Sequence, residues 1–81
     1  MEQQIRDALT QAFAGVQVEL ETSPDGRYSG LLIWDGFTDE DSVDRHRQVR
    51  QVLNAALNGE AANVGMLFTY TPGEMAAMRA A

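Results

Sequence analysis

The sequence predicts an α+β domain in which helices pack on a three-stranded mixed sheet. Three observations lead there. Helical periodicity and strict two-residue alternation take turns along the chain in the order α-β-β-α-β-α. A Pro-Asp-Gly turn joins the first two strands, which makes them an antiparallel hairpin. The last strand follows a long helix, so it returns parallel to its neighbour through a crossover that is almost always right-handed.

Taken in order, residues 2–14 carry Ile5, Ala8, Leu9, Ala12 and Phe13 as one apolar stripe, and Gly15 follows where a left-handed residue can end a helix. Residues 16–22 alternate, with Val16, Val18 and Leu20 on one face and Gln17, Glu19 and Glu21 on the other, as in a half-buried edge strand. After the Ser23-Pro24-Asp25-Gly26 turn, Tyr28 to Trp34 is apolar on both faces at Leu31-Leu32-Ile33-Trp34 and reads as the central strand. Thr38 is placed to cap the acidic turn Asp39-Glu40-Asp41. The second long helix is expected from Val43 to Asn58, with Val49, Val52, Leu53, Ala56 and Leu57 buried and Gly59 as its stop. Residues 62–70 form the third strand, with Val64, Met66, Phe68 and Tyr70 on one side. Thr71-Pro72-Gly73-Glu74 then has the pattern of a capping box with proline at the first helical position.

The 81 residues are read as a single domain, 1–81, without repeat or linker. No apolar run approaches the roughly 20 residues of a membrane span. The polar start Met1-Glu2-Gln3-Gln4 lacks the basic-then-apolar order of a signal peptide, and a chain with no cysteine suits the cytoplasm. The net charge of −6 weighs against nucleic acid as a partner, because phosphate contacts supply most of such affinity. All six cations are arginines, and Arg45, Arg47 and Arg50 fall close together just after Asp35, Asp39, Glu40, Asp41 and Asp44. This is either a solvated helix arranged to suit its dipole or a small cationic patch on an acidic body.

His46 lies within that cluster and is the one histidine of the chain. Without thiols, an imidazole is the best ligand available for a soft or borderline metal. The position continues the stripe of Val49 and Leu53, so a boundary histidine bonded to a loop carbonyl is the competing reading. There is no cysteine nucleophile, no serine with a paired base and no phosphate-binding loop, and Asp44 and His46, two apart on a helix, do not face one another. The chain is therefore not expected to be an enzyme.

Phe37-Thr38-Asp39, the run Val43-Asp44-Arg45-His46-Arg47-Gln48-Val49, and the ending Phe68-Thr69-Tyr70-Thr71-Pro72-Gly73-Glu74 together resemble the BolA family. They match its Phe-x-Gly, Arg-His-Arg-x-Val and Thr-x-Thr-Pro-x-Glu patterns, with Asp39 in place of the family's glycine, and the likeness spans nearly the whole chain. The resemblance implies a fold akin to the type II KH domain. It also implies partnership with a monothiol glutaredoxin in iron–sulfur trafficking or iron regulation, around a bridging [2Fe–2S] cluster held jointly with glutathione. The family's histidine ligand corresponds to His46, and Arg45 and Arg47 are candidates to receive carboxylates of the partner or of glutathione. A second ligand, His or Cys, usually comes from the loop between the first two strands. Here residues 23–30 contain neither, and Asp25 or Tyr28 could offer only harder oxygens.

The alternative to the adaptor reading is a KH-like, nucleic-acid-binding transcriptional regulator. KH recognition uses a Gly-x-x-Gly loop, and the nearest stretch, Gly36-Phe37-Thr38-Asp39, lacks its last glycine.

Overall fold

Ile5 and Leu9 stand one helical turn apart, and both are buried against Val49, Leu53 and Leu57, which repeat on the same interval in the second long helix. These two stripes meet one face of a sheet and form the core. The computed structural model describes residues 1–80. Its elements are α1 (Glu2–Ala12), β1 (Gln17–Thr22), β2 (Tyr28–Ile33), a 3₁₀ turn (Asp35–Phe37), α2 (Ser42–Leu57), a second 3₁₀ segment (Asn58–Asn63), β3 (Val64–Tyr70) and α3 (Pro72–Ala80). The expected α-β-β-α-β-α order and mixed sheet are observed. β2 is central, antiparallel to β1 and parallel to β3.

β2 and β1 approach so closely at Gly30 that a Cβ there would run into the carbonyl of Glu19. Glycine at this position therefore reflects room and not turn chemistry. The ladder from β2 to β3 shifts register between Tyr28 and Gly30, which pair with Val64 and Leu67. This irregularity corrects the expected face of β3. Val64 is buried, but past the shift Leu67 and Thr69 face the helices while Met66 and Phe68 turn outward. One extra residue in a strand reverses every side chain beyond it. Outside the core, then, lies a second sheet face carrying Glu19, Glu21, Leu31, Met66 and Phe68, the last two 55% and 52% exposed. The Phe68 and Tyr70 rings stack there with centroids 6.4 Å apart. Where this face meets α3, Met75 and Ile33 are buried.

Other boundaries moved for local reasons. Ala12 and Ala56 are exposed, so both apolar stripes are narrower than their periodicity suggests. Gly15 does take a left-handed φ of 87°, just past α1. At the end of α2 it is Asn58, with φ 53°, and not Gly59 that leaves the helical region. Thr38 does not open a helix. Its hydroxyl donates to the Asp35 carbonyl at 2.6 Å, closing the 3₁₀ turn behind it. The cap of α2 is Asp41, whose carboxylate accepts the Asp44 N–H at 2.9 Å.

Between that turn and that cap, Asp39 holds φ 67°, a conformation suited to glycine and tolerated by aspartate. Asp39→Gly is expected to leave stability unchanged or raise it by up to about 1 kcal/mol, whereas Asp39→Val lowers it by about 1–2 kcal/mol. Urea unfolding of both variants checks this. A valine variant as stable as the parent would show that the loop does not depend on that backbone geometry.

Candidate functional site

Phe37 is wholly buried at the foot of α2, with Phe13 and Trp34 packed around it at ring centroid separations of 5.8 Å and 5.2 Å. The Trp34 indole N–H donates to the Ala14 carbonyl at 2.8 Å, which ties the end of α1 to the end of β2. Above Phe37 lies the guanidinium of Arg45, its central carbon 5.7 Å from the ring centroid.

Arg45 is only 7% exposed, and it points inward. Its Nε donates to the Glu40 carbonyl at 2.8 Å, and one terminal nitrogen donates to the Thr69 carbonyl at 3.2 Å and to Glu74 Oε1 at 2.7 Å. The other terminal nitrogen reaches Glu74 Oε2 at 3.3 Å, completing a fork on the carboxylate. Glu74 also closes the expected capping box. It accepts the Thr71 N–H at 2.8 Å while its own N–H donates to Thr71 Oγ1 at 3.1 Å. The Arg45 guanidinium, helped by the Thr71 N–H, holds the Glu74 carboxyl down to about 2. The arginine that the sequence turns toward a partner is thus a tie between α2, β3 and α3. Arg47 does project outward, 3.3 Å from Asp44 in an ion pair more than half exposed on both sides. Arg50 reaches a third place, the start of β3. Arg45, Arg47 and Arg50 therefore do not form one patch.

His46 is half-buried and lines a hollow of about 350 Å³ with Arg27, Val49, Arg50, Gly65, Met66 and Leu67. The side-chain hydrogen bonds of this stretch of α2 come from Arg45, Arg47, Gln48 and Arg50, and none involves the imidazole. Arg50 lies one turn further along α2 and donates to the carbonyls of Ala61, Val64 and Gly65 at 3.3, 2.7 and 3.0 Å. Arg27 comes from the hairpin loop and donates to the Ala62 carbonyl at 3.4 Å.

Sequence reasoning grouped Arg50 with Arg45 and Arg47 in one possible cationic patch around His46, and it did not assign Arg27 to this site. The spacing of His46 and Arg50 contains a signal for Arg50, since residues four apart share a helix face. Nothing local signals Arg27, because the parallel pairing of Tyr28 with Val64 is what brings the loop beside β3.

Of the side chains that line the hollow, His46 is the one imidazole, and none is a carboxylate. Among the described residues no three His, Cys, Asp or Glu side chains gather as a metal cage. The hairpin loop contributes a guanidinium to the hollow where a second ligand is expected. The Asp25 carboxylate is bound within its own turn by the Ser23 hydroxyl and the Arg27 N–H, contacts that lower its pKa in that order. Tyr28 packs against the core. Nor is any helix among the described residues long and apolar enough to cross a membrane.

No protein-family model matches the chain, and no curated protein matches it in sequence. A solved structure does. BolA1 from Arabidopsis thaliana superposes with a TM-score of 0.73 over 89% of this chain and 92% of its own, at 20% sequence identity. Likeness at that identity speaks for the fold, and it agrees with the element order and the mixed sheet described above. This chain has a BolA-like fold, with His46 at the rim of its second long helix.

Proposed function

We propose that this chain is a non-catalytic, BolA-like adaptor that docks on a cluster-bearing monothiol glutaredoxin in the cytoplasm and serves iron–sulfur trafficking or iron regulation. The observation that carries the reading is the position of His46, a half-buried imidazole with no hydrogen bond among the described residues, open to a hollow beside exposed Met66. A neutral imidazole nitrogen is a competent ligand for iron, and an exposed apolar residue at the rim suits contact with another protein. In a shared [2Fe–2S] assembly this chain supplies one ligand, His46, and the remaining ligands come from the glutaredoxin and its glutathione.

The arginines divide their work. Arg45 steadies the base of α2 from inside. Arg47, whose exposed pairing with Asp44 is weak, can exchange that carboxylate for one on the partner or on glutathione. Arg27 and Arg50 put positive charge beside His46, which favours an anionic thiolate-ligated cluster there.

The test is to mix the chain with a cluster-loaded monothiol glutaredoxin and follow the visible circular dichroism of the cluster alongside complex formation by size exclusion. The spectrum is expected to change on mixing, and His46→Ala is expected to abolish the change while the variant remains folded. An unaltered spectrum with no complex would overturn the proposal.

A further inference from the structure

Four of the six arginines have a carboxylate partner: Arg6 with Glu2, Arg45 with Glu74, Arg47 with Asp44 and Arg79 with Glu19. The two with no close ion pair, among the described residues, are Arg50 and Arg27, the latter feeling Asp25 of its own turn only at longer range, and they line the same hollow. In a chain with twelve acidic residues, cations can find carboxylates almost anywhere on the surface. Yet no Asp or Glu lines this hollow, and its third polar side chain is His46.

The guanidinium groups are also held in place. Three main-chain carbonyls fix Arg50, and one holds Arg27. Carbonyl oxygens orient a guanidinium without cancelling its charge, and each group keeps donors to spare from its five N–H bonds. Such a fork is matched in geometry to the paired oxygens of a carboxylate or a phosphate. Val49 and Leu67 are buried and give the hollow an apolar floor, while Arg27 and Arg50 are exposed at its edge. A volume of about 350 Å³ admits a small molecule's anionic group.

We infer that the hollow formed by Arg27, His46 and Arg50 is a binding site for a small oxyanion, the carboxylate or phosphate group of a low-molecular-weight ligand. Arg27 and Arg50 grip the oxygens, and the His46 imidazole, one turn before Arg50 on the same face of α2, adds a third hydrogen bond. The inference does not rest on a glutaredoxin partner, and the isolated chain decides it.

The experiment is a ¹H–¹⁵N NMR titration of the isolated protein with sodium phosphate and, separately, with succinate, with sodium chloride keeping ionic strength constant. Saturable shifts are expected at the Gly65 and Met66 amides and at the Arg27 Nε–H. Saturation by phosphate alone identifies a phosphorylated ligand, by succinate alone a carboxylate, and by both the shared chemistry. Arg27→Gln is expected to weaken binding by at least about tenfold, the loss of one charge-assisted contact. Arg50→Lys, which keeps the charge without the fork, provides a second variant and is expected to weaken it too. Arg79→Gln, remote from the hollow, leaves binding unchanged. Shifts that fail to saturate by about 10 mM, the range expected of a few such contacts, would overturn the inference. So would shifts that Arg27→Gln and Arg79→Gln reduce equally.

Discussion

Phe37→Ala is expected to lower the unfolding free energy by about 3–5 kcal/mol, which is the largest single-residue effect anticipated here. The ring is fully buried and touches three different parts of the chain: Phe13 from the end of α1, Trp34 from the end of β2, and the Arg45 guanidinium from α2. A methyl group in its place leaves a cavity that rigid neighbours cannot fill. A domain of this size has a total stability of roughly 4–12 kcal/mol, so the variant sits near the threshold of unfolding. Urea denaturation followed by tryptophan fluorescence reads the loss directly, because Trp34 is one of the packed rings. Phe37→Leu keeps most of the volume and is expected to retain more than half of the lost stability. A fall of under about 1 kcal/mol for the alanine variant would mean that the cluster collapses around the gap, contrary to the packing described.

The second large effect concerns Arg45. Arg45→Met is expected to cost about 2–4 kcal/mol, since it preserves much of the side chain's volume but leaves the Thr69 and Glu40 carbonyls without their donor. Glu74→Gln tests the same tie through its dependence on pH. In the fold the Glu74 carboxyl stays ionised down to about 2, whereas in the unfolded chain it takes its proton near the ordinary value of 4.5. Its contribution to stability is therefore complete above pH 4.5 and is lost as the pH falls from there to about 2. Asp25 is shifted in the same direction, so it adds to the slope in acid. Denaturation at a series of pH values should show a steeper acid loss in the parent than in Glu74→Gln. Equal slopes would show that the ion pair does not form in solution.

The sequence reading anticipated the sheet order because its signals are local. Alternation in β1, the turn at Pro24 and the length of the helix between β2 and β3 are each visible within a few residues, and together they leave one economical topology. The capping box at Thr71 and Glu74 was legible for the same reason. The outward face of β3 was not. A register shift opposite Gly30 carries no residue signature in β3 itself, and strict alternation fails wherever one is present. Thr38 was misplaced because the left-handed turn at Asp39 falls on a residue that has other common conformations.

The site divides in a similar way. His46 stood out from composition alone, as the one imidazole in a thiol-free chain. That Arg45 turns inward to Glu74, and Arg27 inward to the hollow, depends on contacts between residues 29 and 35 positions apart. Composition and periodicity thus determined the elements and their order, and singled out His46 as a candidate ligand. Which guanidinium turns inward to a carboxylate, and which two lie beside that residue without a close one, was decided only when parallel pairing of β2 with β3 brought a hairpin loop, a helix and a strand together. Local patterns encode neighbours along the chain, and charge compensation is settled by neighbours in space.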